Sequence, residues 1–335
     1  MLKTPLVSVV IIGRNEGQRL VDCLASVASA NTVMNGQLEV IYVDSASQDG
    51  SPQRAADLGA KVIEVKPLRP CASVGRNAGW RVATAPYVLF LDGDMLLDAQ
   101  FLPVALEKMH DASIGVLFGT KYERYPERSV YNRVMELDWA LPLGDNDFCG
   151  GDALMRREVL IQTGGYSEEL IAGEEPELCQ RIRALGYRIV KIIENMTVHD
   201  LSITSWAMYW KRAVRTGYAY AEVAQRMKNT DFPLWSRDTK RNLIHSAGLL
   251  AMLISAVTAC VLLADALPLG LLVAAYGALS GRSAFRARHK SRNLYTLALF
   301  GVFSHLQQIP ISLGQLRYWF NHYTHKQAQL IEYKQ

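Results

Sequence analysis

The chain has 335 residues and a net charge of +4, with half its residues apolar and 20% charged, enough for about two domains. That composition excludes a disordered, collagenous or disulfide-framework protein. Five scattered cysteines, Cys23, Cys71, Cys149, Cys179 and Cys260, form no CxxC pair, which argues against zinc, dithiol redox chemistry or secreted stapling and suits a reducing compartment. The charge divides unevenly: residues 236–335 hold eleven Lys/Arg against three Asp/Glu, and residues 1–235 hold 25 against 29. A rear segment both basic and apolar points to membrane lipids and not to nucleic acid. Two domains are expected, 1–235 and 236–335. Met1–Pro5 and the apolar run Leu6–Ile12 are too short and wrongly flanked for a signal peptide.

In chain order, Val7–Ile12, Glu39–Val43, Lys61–Val65 and Tyr87–Leu91 read as four buried strands. Gly17–Ala30 places Leu20, Cys23, Leu24 and Val27 at helical spacing, and Ser51–Leu58 reads as a weaker helix. This is βαβ grammar, an open α/β sheet with right-handed crossovers. Gly150-Gly151-Asp152 reads as a turn, Glu174–Leu185 as a helix, Tyr187–Ile193 as a strand and Trp206–Met227 as a basic, aromatic amphipathic helix. Leu243–Ala264 is long enough to cross a bilayer. Leu269–Ser280 is apolar but short, and a basic run with Arg282, Arg286, Arg288, Lys290 and Arg292 follows it. Leu294–Leu316 is apolar but interrupted by His305, Gln307, Gln308 and Pro310, as in an interior-facing span or an interfacial helix.

An open α/β sheet binds ligands beyond the carboxyl ends of its strands. There the chain has Gly13-Arg14-Asn15-Glu16, Asp44-Ser45-Ala46-Ser47-Gln48-Asp49-Gly50-Ser51 and Asp92-Gly93-Asp94. It has neither GxGxxG nor GxxxxGK[ST], which counts against a dinucleotide cofactor or a P-loop hydrolase. Two carboxylates flanking a glycine turn suit Mg²⁺ or Mn²⁺ bridging to substrate phosphates; the plain alternative is a solvated turn. Asp44 is placed to accept hydrogen bonds from a base or ribose, whereas Asp49 and Ser51 read as caps of the next helix.

Val9–Glu16, Val43–Ser51, Ser73–Gly79, Leu91–Asp94, Gly151–Arg156 and Gly173–Leu178 occur in the order and spacing of family-2 glycosyltransferases, a resemblance that covers residues 5–225. It implies a GT-A type, Rossmann-like open mixed sheet with flanking helices, followed by C-terminal membrane helices. It also implies an inverting, metal-dependent transfer from a nucleoside diphosphate sugar, UDP-linked by default, to a lipid-linked or membrane-proximal acceptor in cell-surface glycan or glycolipid synthesis. By position, Asn15 and Glu16 line the nucleoside pocket, Asp44 meets the base, and Arg76 reaches the nucleotide from the loop after the third strand. Asp92 meets ribose or metal-bound water, Asp94 binds Mn²⁺ or Mg²⁺, and Thr197-Val198-His199 supplies His199 as a further ligand.

Glu175 takes the place of the general base, one methylene longer than the family's usual Asp. Gly151, Asp152 and Glu174, with Lys211, Arg212 and Arg215, fall on the acceptor or leaving-group side. For Glu174, Glu175 and Glu177 the plain reading is complementing a helix dipole; for the three basic residues it is a solvated face. The Gln-x-x-Arg-Trp motif of processive synthases is absent, so transfer of one sugar per acceptor is expected. A sugar-nucleotide nucleotidyltransferase and a degenerate scaffold domain stand as alternatives. The expected location is the inner or plasma membrane, with the catalytic domain and residues 282–292 both facing the cytoplasm across a helical hairpin.

Overall fold

The computed structural model of the chain describes residues 4–66 and 71–326; Met1–Lys3, part of the N-terminal reading above, lie outside them. The first elements are β1 (Val7–Gly13), α1 (Gln18–Val33), β2 (Leu38–Asp44), α2 (Ser51–Asp57), β3 (Lys61–Glu64), α3 (Ala72–Val82) and β4 (Tyr87–Asp92). There follow β5 (Met95–Leu97), α4 (Phe101–Lys108), β6 (Ile114–Glu123), α5 (Val130–Asp138), β7 (Gly144–Asp145), β8 (Ala153–Arg156), α6 (Arg157–Thr163), α7 (Glu174–Ala184) and β9 (Arg188–His199). The later described elements are helices: α8 (Trp206–Met227), α9 (Ser236–Leu263), α10 (Leu267–Arg286), α11 (Leu294–Leu306) and α12 (Gln308–Tyr323).

Among the described residues nine strands form one mixed sheet in the order β3-β2-β1-β4-β8-β6-β9-β5, with β7 paired to β9. The front half is parallel, as βαβ units require, and β8 enters antiparallel between β4 and β6. Apolar β1 and β4 are buried almost throughout, and α1 covers them with Leu20, Cys23, Leu24, Val27 and Ala30 at helical spacing. The expectation of four buried strands fails at β3: its four residues are exposed or half-buried, because it closes the edge of the sheet and has one neighbour. The helix α3 lies so close to the sheet that a Cβ on Gly79 would stand 2.3 Å from Val10 Cγ1. Only a residue without a side chain fits that approach.

The chain divides into two compact units, each discontinuous in sequence. The first runs to Tyr125 and includes Trp139–Leu201 and Asn229–Leu234; the second contains Pro126–Asp138, Ser202–Lys228 and the chain from Trp235 on. The change in composition near residue 236 therefore does not coincide with the division in space, since α5 and α8 group with the C-terminal helices. Inside the second unit α8 and α12 touch backbone to backbone: a Cβ on Gly314 would fall 2.0 Å from the Val214 carbonyl oxygen. Tyr131, Tyr209 and Phe303 pack ring on ring, with centroids 5.2–5.6 Å apart.

Among the described residues, two helical stretches are long and apolar enough to cross a membrane, Ser236–Leu263 and Leu294–Tyr323. The helix α9 leaves Ile244, Leu253, Ile254, Val261 and Leu262 exposed. The expected return leg, Leu269–Ser280, is not one of those stretches; it lies within α10, which continues through Arg282 and Arg286. These two charges lower the mean hydropathy of a helix that the sequence reading had ended before them.

Candidate functional site

The register of the parallel strands gathers the polar residues. Gly13 pairs with Asp44 on one side and Ile12 with Asp92 on the other, so the carboxyl ends of β1, β2 and β4 lie side by side. The loops after β1 and β2 are stitched together. The Asn15 N–H donates to Ser47 Oγ at 2.8 Å, the Gln48 N–H to Asn15 Oδ1 at 2.8 Å, and the Gly17 N–H to Asp49 Oδ2 at 2.9 Å. Glu16 pairs with Arg19 at 2.8 Å.

Asp44 is fully buried. Its carboxylate accepts the Tyr42 hydroxyl at 2.8 Å and the Ser47 N–H at 2.7 Å, so its task in this structure is to shape the loop. Asp49 precedes the N-cap, which is Gly50, and accepts the Ser51 N–H and hydroxyl.

Arg76 lies within helix α3, not on the loop where the sequence reading put it. Its buried guanidinium donates to Asp92 at 2.9 Å and to Glu174 at 2.7 Å. Burial opposes its charge, but the two carboxylates outweigh that cost and push its pKa up. The arginine thereby joins the Asp92-Gly93-Asp94 turn to the first residue of α7. A Cβ on Gly151 would meet the same guanidinium at 3.3 Å.

A second convergence follows from β9. Its antiparallel ladder with β5 pairs His199 with Met95, next to Asp94, and His199 Nε2 stands 3.2 Å from Asp94 Oδ2. Both residues are buried, and the Trp139 ring lies 5.2 Å from the imidazole. A register shift between β6 and β9 after Thr120 sets Lys121 opposite Thr197. As a result Asp152 receives both the Lys121 ammonium and the Thr197 hydroxyl. Thr197 and His199, two apart on one strand face, thus hold the two aspartates Asp152 and Asp94.

The residues fit a divalent cation. A carboxylate and an imidazole meet at Asp94 and His199, and His199 Nδ1 is buried with no hydrogen-bond partner among the described residues. Such a donor pair suits Mn²⁺.

Glu175, only 4% exposed, occupies the second position of α7. Its Oε1 accepts the Cys149 N–H at 2.7 Å and the thiols of Cys149 and Cys179, each at 3.0 Å. Burial is the first cause pushing both thiol pKa values up, and Glu175 adds to it. Glu177 forms a two-point pair with Arg181 at 2.9 and 2.8 Å, a structural role. Lys211, Arg212 and Arg215 lie on α8, in the second unit.

The sequence reading missed Lys121, Trp139, Cys149 and Cys179. Cys179 follows Glu175 by four residues on a helix and was findable by that spacing; the other three depend on strand register and loop path.

Residues 8–164 match the family described as Glycosyl transferase family 2. Glycosyltransferase AglE of Haloferax volcanii is 23% identical over 194 residues, 55% of this chain; the chain spans 64% of that relative's length. Among solved structures, the mannosyltransferase PcManGT from Pyrobaculum calidifontis, in complex with GDP-Man and Mn²⁺, superposes with a TM-score of 0.67. It is 19% identical, and the match covers 94% of this chain and 88% of that one. Residues 1–349 of S. aureus TarS superpose at 0.52, with 15% identity, covering 94% and 92%. Residues 8–164 therefore resemble a family 2 glycosyl transferase domain, and the sheet that carries them has the fold of these glycosyltransferase structures.

Proposed function

We propose that the chain is an inverting, metal-dependent glycosyltransferase that moves one sugar from a nucleoside diphosphate donor to a lipid-linked or membrane-proximal acceptor. The observation that carries this reading is the bridge from Asp92 through Arg76 to Glu174, which ties a strand-end acidic turn to the helix that bears Glu175. In this reading Asn15 and Glu16 border the nucleoside, Asp44 supports the base-side loop, and Asp94 and His199 hold Mn²⁺, with Mg²⁺ the alternative. The cation supplies charge stabilisation for the departing diphosphate.

Glu175 accepts the acceptor's hydroxyl proton as that oxygen bonds to the anomeric carbon and the bond to the diphosphate breaks. Because Glu175 Oε1 is occupied by Cys149 and Cys179, the proton goes to Oε2. Lys121 pairs with Asp152, and with Gly151 these residues form the acceptor side; Arg76 pairs with Glu174. A single displacement by a hydroxyl needs no enzyme nucleophile and inverts the anomeric centre. The donor of PcManGT is GDP-Man, so guanosine and uridine donors both belong in the test.

Membrane attachment is assigned to the second unit. The exposed apolar side chains of α9 and the length of Ser236–Leu263 support it. The basic run Arg282–Arg292 would lie on the cytoplasmic side, and Lys211, Arg212 and Arg215 would meet lipid phosphate. Carbonate extraction of the full chain, and labelling of a His289→Cys variant in sealed vesicles after replacement of the native cysteines, test this arrangement. Release by carbonate, or labelling from the outer face alone, refutes it.

The catalytic reading is tested with UDP- and GDP-sugars, Mn²⁺ and membrane lipid extract. Glu175→Gln is expected to keep donor binding and lose turnover by about 10²-fold or more. Asp94→Ala is expected to lose Mn²⁺-dependent nucleotide binding along with turnover. Near-normal turnover in the first variant moves the base elsewhere; unchanged nucleotide affinity in the folded second variant removes the metal assignment.

A further inference from the structure

Three donors that the proposed reaction does not use together surround one point. Cys149 comes from the loop before β8, and Glu175 and Cys179 come one turn apart on α7. The two thiol sulfurs and a Glu175 oxygen all lie within 4.8 Å of one another, and each sulfur is 3.0 Å from that oxygen. Cys149 and Glu175 are each 4% exposed and Cys179 is fully buried. Hydrogen bonding alone gives a weak reason for two thiols to converge on one carboxylate oxygen, since a thiol is a poor donor.

We propose that Cys149, Cys179 and Glu175 form a site for a thiophilic divalent cation of the Zn²⁺ class, distinct from the Mn²⁺ position at Asp94 and His199. The chemistry separates the two. Thiolates select soft or borderline ions, whereas a site with a carboxylate and no thiolate also accepts the harder Mn²⁺. Zn–S bonds of about 2.3 Å and Zn–O bonds of about 2.0–2.2 Å set the donors of a tetrahedral ion somewhat farther apart than 3.0 Å, so the cluster opens slightly to admit one. Three protein ligands leave a fourth position for water. Gly150 and Gly151, both at positive φ (91° and 105°), directly follow Cys149 and give its loop the backbone freedom to open and close over the ion.

On binding, the two S–H bonds break and their protons leave to solvent; two Zn–S bonds and one Zn–O bond form, and nothing is oxidised or reduced. One consequence rests on the proposed role of Glu175: ligation takes up the carboxylate that would accept the acceptor's proton. Zn²⁺ at this site is then a reversible inhibitor of transfer that does not displace the nucleotide.

The test uses the full chain in detergent, reduced, stripped with chelator and titrated with Co²⁺. Wild type is expected to bind one equivalent with thiolate-to-cobalt charge-transfer absorption, bleached by Zn²⁺. Asp94→Ala should keep that absorption, and the Cys149→Ser, Cys179→Ser double variant should lose it. If the double variant does not fold, Cys179→Ser alone should weaken or abolish the band. Absence of the band in wild type or its persistence in the double variant would overturn the proposal. Stoichiometric Zn²⁺ should suppress transfer in wild type and spare the Cys variants, and chelator should restore it. A cobalt band with no inhibition upholds the site and refutes Glu175 as the base.

Discussion

Arg76→Met tests whether the bridge between Asp92 and Glu174 is structural as well as functional. Breaking a buried ion pair by removing one partner costs about 3–5 kcal/mol, whereas exposed pairs contribute about 0.2–1 kcal/mol. The two halves of this bridge differ in exposure. The Arg76 side chain is 5% exposed and that of Glu174 12%, but that of Asp92 is 37%. Water can therefore screen Asp92 when the guanidinium is lost and can do little for Glu174.

From this asymmetry the coupling of Arg76 to Glu174 should be about 3 kcal/mol, and to Asp92 about 1 kcal/mol or less. The loss in Arg76→Met should be about 3–4 kcal/mol, a large part of an ordinary domain's 5–15 kcal/mol. Denaturant unfolding followed by the fluorescence of Trp80 and Trp139, both in the first unit, measures the loss. Double-mutant cycles with Glu174→Gln and Asp92→Asn isolate each coupling. A coupling to Asp92 equal to or larger than that to Glu174, or a total loss below about 1 kcal/mol, would refute the reasoning from burial.

Two further outcomes follow from the packing of the sheet. Gly79→Ala forces a methyl into space held by Val10 and Val43, and should cost about 1–3 kcal/mol; denaturant midpoints check it, and adding Val10→Ala should recover part. Glu39 accepts the Ser8 hydroxyl, the Thr84 N–H and the Thr84 hydroxyl. Burial raises its pKa, but these bonds outweigh it and hold the folded value below the usual 4.5. The stabilisation is therefore full above pH 4.5 and is lost as pH falls through the folded value. Glu39→Gln should cost roughly 1 kcal/mol at neutral pH, and the gap to wild type should close in acid. A gap that persists or widens in acid would refute this assignment.

The strands and helices of the front sheet were legible because each is set by local pattern. Leu20, Cys23, Leu24 and Val27 carry the period of a helix, and Val7–Ile12 is a short unbroken apolar run. Burial of β3 was misjudged because an edge strand and an inner one of four residues carry the same apolar signal; only its place beside β2 alone distinguishes them. The tail was harder, since hydropathy ended the return leg at Ser280 while hydrogen bonding carried α10 on to Arg286.

The chemistry divides along the same line. Asp92 and Asp94 could be singled out because a strand-end turn marks them, and Glu175 because the family resemblance places it at the base position. Their partners could not, because contacts at long sequence separation choose them. Arg76 reads as a phosphate-seeking loop residue until α3 forms around it and turns it onto two carboxylates. Lys121 has no signature at all; only the register shift after Thr120 brings it opposite Thr197 and onto Asp152. Cys149 likewise reaches Glu175 only because the loop before β8 passes over the first turn of α7. The carboxylate that the resemblance marks as a base thus has one oxygen engaged by two cysteines that no motif predicts, and in the proposed reaction the other is the one that would serve the acceptor.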